Sequence, residues 1–278
     1  MLLTVMSQNV QYGADQDGRW NGLVDDIRQA APQLLLLQEV DWLADPDAAT
    51  AAEKALGMQL RVAPSRNLNV AIAWDPDALQ LGDVETTYSV GDMHHGYCAA
   101  RFKPWGLTAG LSAPLVAIST HLSPYSAQTA SQEAQLLCAR AYRHGGIAMV
   151  AGDINHMPLG DPEPAWDLVQ PYNRTSRCLR RASSDEPWRG NRVVGEVFRD
   201  AEFTDVAAHI ADTRKDPALR QPTGKAGLLR VDQVHVTPAL VPTIEDYRVV
   251  ESNHSDHRGL VWTLELSRAD HGQTRDYT

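Results

Sequence analysis

Apolar positions along this chain fall into short unbroken runs, separated by polar clusters rich in Gly, Pro, Asn and Asp. Leu2–Asn9 is such a run, bounded by Asn9-Val10-Gln11-Tyr12-Gly13, and it predicts a buried strand. Trp20, Leu23, Val24, Ile27, Ala30 and Ala31 then recur at helical spacing, so a helix is expected over 20–31 with Pro32 marking its exit. The run Leu34-Leu35-Leu36-Leu37, followed by Gln38-Glu39, predicts a central strand that delivers Glu39 at its C-terminal end. A second helix is expected over 47–57, stopped by Gly57.

Further strands are predicted at Asn69–Trp74, Leu81–Tyr88, Leu115–Thr120, Ile147–Ala151, Leu228–Thr237 and Gly259–Leu266. A long amphipathic helix is expected over Ser126–Arg143, closed by Gly145-Gly146. Between Pro158 and Val206 the composition shifts to Pro, Arg, Ser and Asp; one helix (about 163–170) and a long loop are expected there. The interleaving of strands and helices implies an α/β fold forming one domain over residues 1–268, with a polar, frayed tail over 269–278.

Composition narrows the classes. Hydrophobic content of 43% and charged content of 22% are ordinary for a globular chain and exclude intrinsic disorder. A net charge of -10 weighs against a protein that grips long duplex nucleic acid by phosphate contacts alone. Cys98, Cys138 and Cys178 are far apart and odd in number, which excludes a disulfide framework or zinc ribbon. Reduced thiols, an N-terminus without a charged leader and no apolar run of membrane-spanning length lead to the expectation of a cytoplasmic protein without membrane insertion, most simply a monomer.

The chemistry gathers where strands end. Asn9, Glu39, His121, Asp153 with Asn155, Asp232, and Asp256 with His257 all stand beside apolar runs. Strand ends along one edge of a sheet converge even when distant in sequence. Carboxylate and amide oxygens suit a hard divalent cation, and phosphoryl transfer needs charge neutralisation and an oriented water.

Six segments carry a resemblance: Ser7-Gln8-Asn9-Val10, Leu37-Gln38-Glu39-Val40, Ser119-Thr120-His121-Leu122, Ala151-Gly152-Asp153-Ile154-Asn155, Arg230-Val231-Asp232-Gln233-Val234 and Ser255-Asp256-His257-Arg258. In this order the set resembles the endonuclease/exonuclease/phosphatase superfamily. Abasic-site endonucleases, pancreatic-type deoxyribonucleases, sphingomyelinases and inositol-polyphosphate phosphatases share that fold. The resemblance implies a four-layer α/β/β/α sandwich of two mixed β-sheets, deoxyribonuclease-like, and Mg²⁺-dependent (or Mn²⁺-dependent) hydrolysis of a phosphodiester or phosphomonoester by in-line attack of water. It implies that Asn9, Glu39 and Asp256 serve the metal, with Glu39 a direct ligand. Asp153 would orient and deprotonate the water, and Asn155 would hold that water or a phosphate oxygen. His257 would bind the phosphate, Asp232 would orient His257, and His121 would contact the phosphate or assist the leaving group. Arg101 occupies a position where the superfamily often has a phosphate-facing arginine. Tyr12 or Tyr172 is a candidate for the pocket lining. Two departures stand out: Gln11 replaces a frequent acid, and no acid near Asn67–Asn69 partners His121.

Blander readings stand beside these. Asp232 is also a candidate ion-pair partner of Arg230, and His94-His95 fits a loop role, since neighbours on a strand point opposite ways. The tract 173–192 holds Arg174, Arg177, Arg180, Arg181, Arg189 and Arg192 with Trp188. Arginines interleaved with an aromatic suit a phosphate-rich or nucleobase substrate; a solvated loop is the alternative. Arg174 and Arg177 are therefore substrate-binding candidates. The expected substrate is a phosphate ester: nucleic acid (single-stranded or short) or a nucleotide-like small molecule, with a small metabolite or lipid head group as the alternative. A catalytically silent binding module of the same fold is the rival of another class.

Overall fold

The four-leucine run resolves into two faces. In the computed structural model, Leu34 and Leu36 point between two sheets while Leu35 and Leu37 point toward helices, and all four are fully buried. A strand buried on both faces must be apolar at every position, which is why no alternation marked it. The structure describes residues 1–107, 110–225 and 228–275.

One sheet is formed by β1 (Leu2–Asn9), β2 (Leu34–Gln38), β3 (Gln59–Ala63), β4 (Val70–Trp74), β11 (Ile244–Val250) and β12 (Gly259–Glu265), in the order β11-β12-β1-β2-β4-β3. The other is formed by β5 (Leu79–Glu85), β6 (Gly96–Pro104), β7 (Leu115–His121), β8 (Ile147–Asp153), β9 (Thr204–Asp205) and β10 (Asp232–Val236), in the order β5-β6-β7-β8-β10-β9. Each is mixed: β1 runs parallel to β2, β7 runs parallel to β8, and the remaining pairs are antiparallel.

The sheets pack on a shared core that includes Val5, Leu36, Trp74, Phe102, Met149 and Trp262. Helices α1 (Trp20–Ala30) and α2 (Pro46–Leu56) cover the first sheet through Leu23, Ile27 and Ala52. Helices α3 (Ala127–Tyr142) and α5 (Val193–Asp200) cover the second through Ala130, Ala134, Leu137 and Phe198. The result is the four-layer α/β/β/α sandwich of two mixed sheets. No helix among the described residues is long and apolar enough to cross a membrane.

Several sequence expectations are corrected. No α-helix covers 163–170; Pro162 and Pro164 hold the chain extended, and only a 3₁₀ turn at Trp166–Leu168 forms. Helix α4 (Pro171–Arg177) starts beyond it, with Pro171 in the first turn where a missing N–H is harmless. It and α5 occupy what reads as loop, and α6 (Val206–Arg214) follows. Strands β3, β6 and β11 escaped the hydrophobic pattern because polar residues interrupt them: Arg61, Arg101 and Lys103, Asp246 and Arg248. The strand expected over Leu228–Thr237 shortens to β10, since Leu228 adopts φ 53°. The segment 269–275 is docked and not frayed: Asp270 N donates to Ala239 O and Arg275 N to Gly145 O, both at 2.9 Å. The rest of the expected tail, 276–278, lies outside the described residues.

Candidate active site

Strand register alone gathers the polar residues. In the parallel pairs, Asn9 sits opposite Gln38 with Glu39 next in line, and His121 sits opposite Asp153. Asp232 opens β10 opposite Asp153, and His257 lies two residues ahead of β12. All therefore meet at one edge of the sandwich, where both sheets end.

Glu39 and Asn155 turn the chain with φ of 66° and 62°. Asn tolerates this left-handed region through its short polar side chain; Glu does not, so Glu39 is held there by its surroundings. Asn9 Nδ2 donates to Glu39 Oε1 at 2.9 Å and to Asp153 Oδ2 at 3.2 Å, bridging the half-buried Glu39 and the buried Asp153. The Tyr12 backbone N–H donates to Glu39 Oε2 at 2.7 Å. Asn9 Oδ1 accepts from Gln11 N at 2.9 Å. Burial raises the pKa of Glu39, partly opposed by the bonds from Asn9 and Tyr12.

His257 Nδ1 lies 2.8 Å from Asp232 Oδ2, and its Nε2 lies 3.8 Å from Asp153 Oδ2. Burial disfavours the charged ring, but Asp232 and Asp153 outweigh it and push His257 up to about 10. The ring is therefore an imidazolium at neutral pH. Asp232 is itself steadied by Thr223, whose Oγ1 accepts from Val231 N and Asp232 N at 3.0 and 2.8 Å. Burial also opposes ionisation of Asp153, yet the charges of His257 and Arg177 and the Asn155 backbone N–H hold it below the usual carboxylate range.

His121 behaves oppositely. Its Nε2 lies 3.5 Å from Asp153 Oδ2, but burial pulls its pKa down to about 4, leaving a neutral ring. His95 stacks on it at 4.1 Å between centroids, and His95 Nδ1 lies 3.1 Å from Asn67 Oδ1. His94 and His95 do lie in the bend before β6, as the loop role implied, and His95 packs beside the site from there. The signal was hidden because β6 was not recognised: Gly96 pairs with His121, which brings His95 to the edge where these side chains meet.

Asn155 is fixed on three sides. Its backbone N donates to Asp153 Oδ1 at 3.0 Å, and its Nδ2 donates to Leu122 O at 3.0 Å. Arg177, buried at the end of α4, donates through Nε to Asn155 O at 2.6 Å and through Nη2 to Asn155 Oδ1 at 2.8 Å. With its carbonyl oxygen taken by Arg177, Asn155 offers the site an N–H. That favours a bond to a phosphate oxygen over the acceptance of a water proton. Arg177 also lines a cavity of ≈ 120 Å³ with Asn155, Asn173, Lys225, Asp256 and His257.

The remaining candidates separate. Arg101 is not at the site: it pairs with Val116 in mid-sheet and forms an ion pair with Asp83. Asp232 does not pair with Arg230, which instead binds Asp161 and Asp205. Asp256 is exposed and belongs to neither group of clustered ligand atoms among the described residues. Tyr12 and Tyr172 are exposed, only Tyr12 reaching the cluster through its backbone N–H, and Arg174 stands one turn before Arg177 on α4.

A divalent cation fits the donor set. Ligand atoms of Glu39, His121 and Asp153 lie within 4.8 Å of one another, and a buried carboxylate held that close to a half-buried one calls for a positive charge between them.

No protein-family model and no curated protein matches the sequence. Solved structures do match its fold. ANGEL2, a 2′,3′-cyclic phosphatase, is 14% identical at a TM-score of 0.64, covering 96% of each chain. An endonuclease/exonuclease/phosphatase from Bacteroides vulgatus is 16% identical at 0.64, covering 96% of this chain and 99% of that one. D. rerio TDP2 humanised by 14 mutations is 16% identical at 0.62, covering 95% and 99%. At such identities the likeness is one of fold: this chain has the endonuclease/exonuclease/phosphatase fold over nearly its whole length.

Proposed function

We propose that this chain is a member of the endonuclease/exonuclease/phosphatase superfamily that hydrolyses phosphate esters with a divalent metal, Mg²⁺ or Mn²⁺. The observation that carries this reading is the pairing of an imidazolium, His257 on Asp232, with an ionised Asp153 whose Oδ2 lies 3.8 Å from the ring. A cationic donor beside an anionic base is what in-line attack of water on phosphorus requires.

Glu39 would hold the cation, with the Asp153 carboxylate in reach. When bound, the metal supplies charge neutralisation to the phosphate oxygens. Asn9 keeps the two carboxylates together, as its amide spans them. Asp153 accepts the proton of the attacking water. His257 and the free N–H of Asn155 bind the phosphate and stabilise charge developing in the transition state. His121, neutral, assists at the leaving-group oxygen by hydrogen bonding.

A silent binding module of this fold is disfavoured by the same groups. Buried Asp153 and Asp232, a charged His257 held between them, and Glu39 at positive φ are costly without chemistry to justify them. For the substrate, solved relatives in the fold include TDP2 with single-stranded DNA product and ANGEL2 with adenosine-2′,3′-vanadate, which supports a substrate of nucleotide chemistry.

The test is hydrolysis of bis(4-nitrophenyl) phosphate and of a single-stranded oligonucleotide in Mg²⁺, in Mn²⁺ and in chelator. Asp153→Ala and His257→Ala should each lose at least about 10²-fold in kcat with melting unchanged. Undiminished activity in chelator removes the metal from the reading.

A further inference from the structure

The tract 170–192 carries six arginines against two carboxylates, Asp185 and Glu186, in a chain of net charge -10. Their side chains fall into two groups. Arg177 and Arg192 are spent inside the fold: Arg177 on Asn155, and Arg192 on Pro158 O, Asp161 O and Glu163. Arg174, Arg180, Arg181 and Arg189 form an outer group, with Arg180 and Arg189 exposed and Arg174 and Arg181 half-buried.

Two of the outward group are organised by Trp188. The guanidinium carbons of Arg181 and Arg174 lie 3.6 and 5.1 Å from its ring centroid. The ring also packs on the apolar cluster of Met157, Trp166, Cys178, Leu229 and Val231. It is thus committed on both counts and is poorly placed to stack a base. It serves to hold guanidiniums in place. Arg181 is further fixed by Ser184 O and Glu186 O at 2.9 and 3.0 Å. The acid nearest Arg174 is Asp167, 3.8 Å away and almost fully exposed. These residues line an open groove of ≈ 550 Å³, with Arg180 on the same wall. The groove is connected to the site by contact: Arg174 is one helical turn from Arg177, and Arg177 grips Asn155.

Resting on the phosphoesterase reading, we propose that this groove is a second anion subsite, formed by Arg174, Arg180 and Arg181 on Trp188, which binds a phosphate of the substrate other than the one cleaved. The ligand chemistry is a phosphate group displaced from the scissile one. It belongs either to a neighbouring nucleotide of a single strand or to a polyphosphate chain on a small molecule.

The experiment compares wild type with Arg180→Gln/Arg181→Gln, neither residue touching the catalytic groups. Three probes are used: the p-nitrophenyl ester of thymidine 5′-monophosphate, a ten-nucleotide oligothymidylate, and inorganic tripolyphosphate as competitor. The double variant should raise KM for the oligonucleotide about tenfold and leave KM for the nitrophenyl ester within about twofold. The salt dependence of oligonucleotide binding, log K against log salt, should lose about 1.5 in slope, as two phosphate contacts disappear. If the source is a small polyphosphate, the oligonucleotide is indifferent to the variant, and tripolyphosphate inhibits wild type but not the variant. Equal shifts for all probes, or none, overturn the subsite. Binding of the oligonucleotide and tripolyphosphate is also measured in chelator by fluorescence. Loss of that binding in the variant supports the subsite even if no ester is hydrolysed, so failure of the hydrolytic reading is seen separately.

Discussion

His257 Nδ1 and Asp232 Oδ2 are 2.8 Å apart, and this bond joins the two sheets at the edge carrying the site, since His257 precedes β12 in one sheet and Asp232 begins β10 in the other. Burial works against both charges, but Asp232 and Asp153, one on each side of the ring, outweigh it at His257. Its consequence for pH has a definite sign. His257 is raised from 6.5 to about 10, so the stability it lends is complete below 6.5 and lost as pH rises through about 10.

Asp232→Asn should therefore move the alkaline limb of kcat/KM from near 10 toward neutrality and lower the plateau by about 10²-fold or more. A pH–rate profile of both proteins reads this. An unmoved alkaline limb means that His257 is not the group whose proton matters.

Arg177→Met should free the Asn155 amide to rotate. Oδ1 and the main-chain carbonyl of Asn155 both lose their donor. The expected result is a fall in kcat of about tenfold with KM for a small aryl phosphodiester changed much less, because a transition-state donor is mispositioned. Arg177→Lys, which keeps the charge but not the fork, should recover only part. A change confined to KM would make Arg177 a simple substrate contact.

Gly152→Ala should destabilise the fold strongly. A Cβ there meets the Thr120 carbonyl oxygen at 1.9 Å, and φ is 148°. Because β7 and β8 must separate locally to admit it, the loss should reach about 3 kcal/mol or more, seen as a lower denaturant midpoint. Wild-type stability in this variant would show that the strand pair is looser than its register implies.

Arg230→Met should cost about 3–5 kcal/mol, since it strands two carboxylates in the interior. Arg230 binds Asp161 through Nε at 2.9 Å and Asp205 through Nη2 at 2.7 Å. Burial resists ionisation of Asp205, but Arg230 prevails and lowers its pKa. The stability from this pair is thus present above the ordinary Asp value and lost as pH falls through the lowered one. Unfolding free energies measured down the acid range should fall more steeply for wild type than for the variant.

The sequence by itself determined the alternation of elements, the strand ends and the chemistry they carry. Leu34–Leu37 announced β2 because a strand buried on both faces has no polar position to spare, and Gly152-Asp153-Ile154-Asn155 announced the end of β8 because polar residues there break the apolar run. Position along the chain does not encode which strand ends meet, and only the tertiary structure decided that. Arg101 looked like a site residue and lies in mid-sheet; His95 looked like a loop residue and stacks on His121, because the β6–β7 register places Gly96, and not Arg101, opposite His121. The charge on His257 was expected from a neighbouring Asp232, but the neutrality of His121 was out of reach. His121 and His257 are the same residue type beside the same carboxylate, yet burial leaves one neutral while Asp232, contributed from a strand of the other sheet, keeps the other charged.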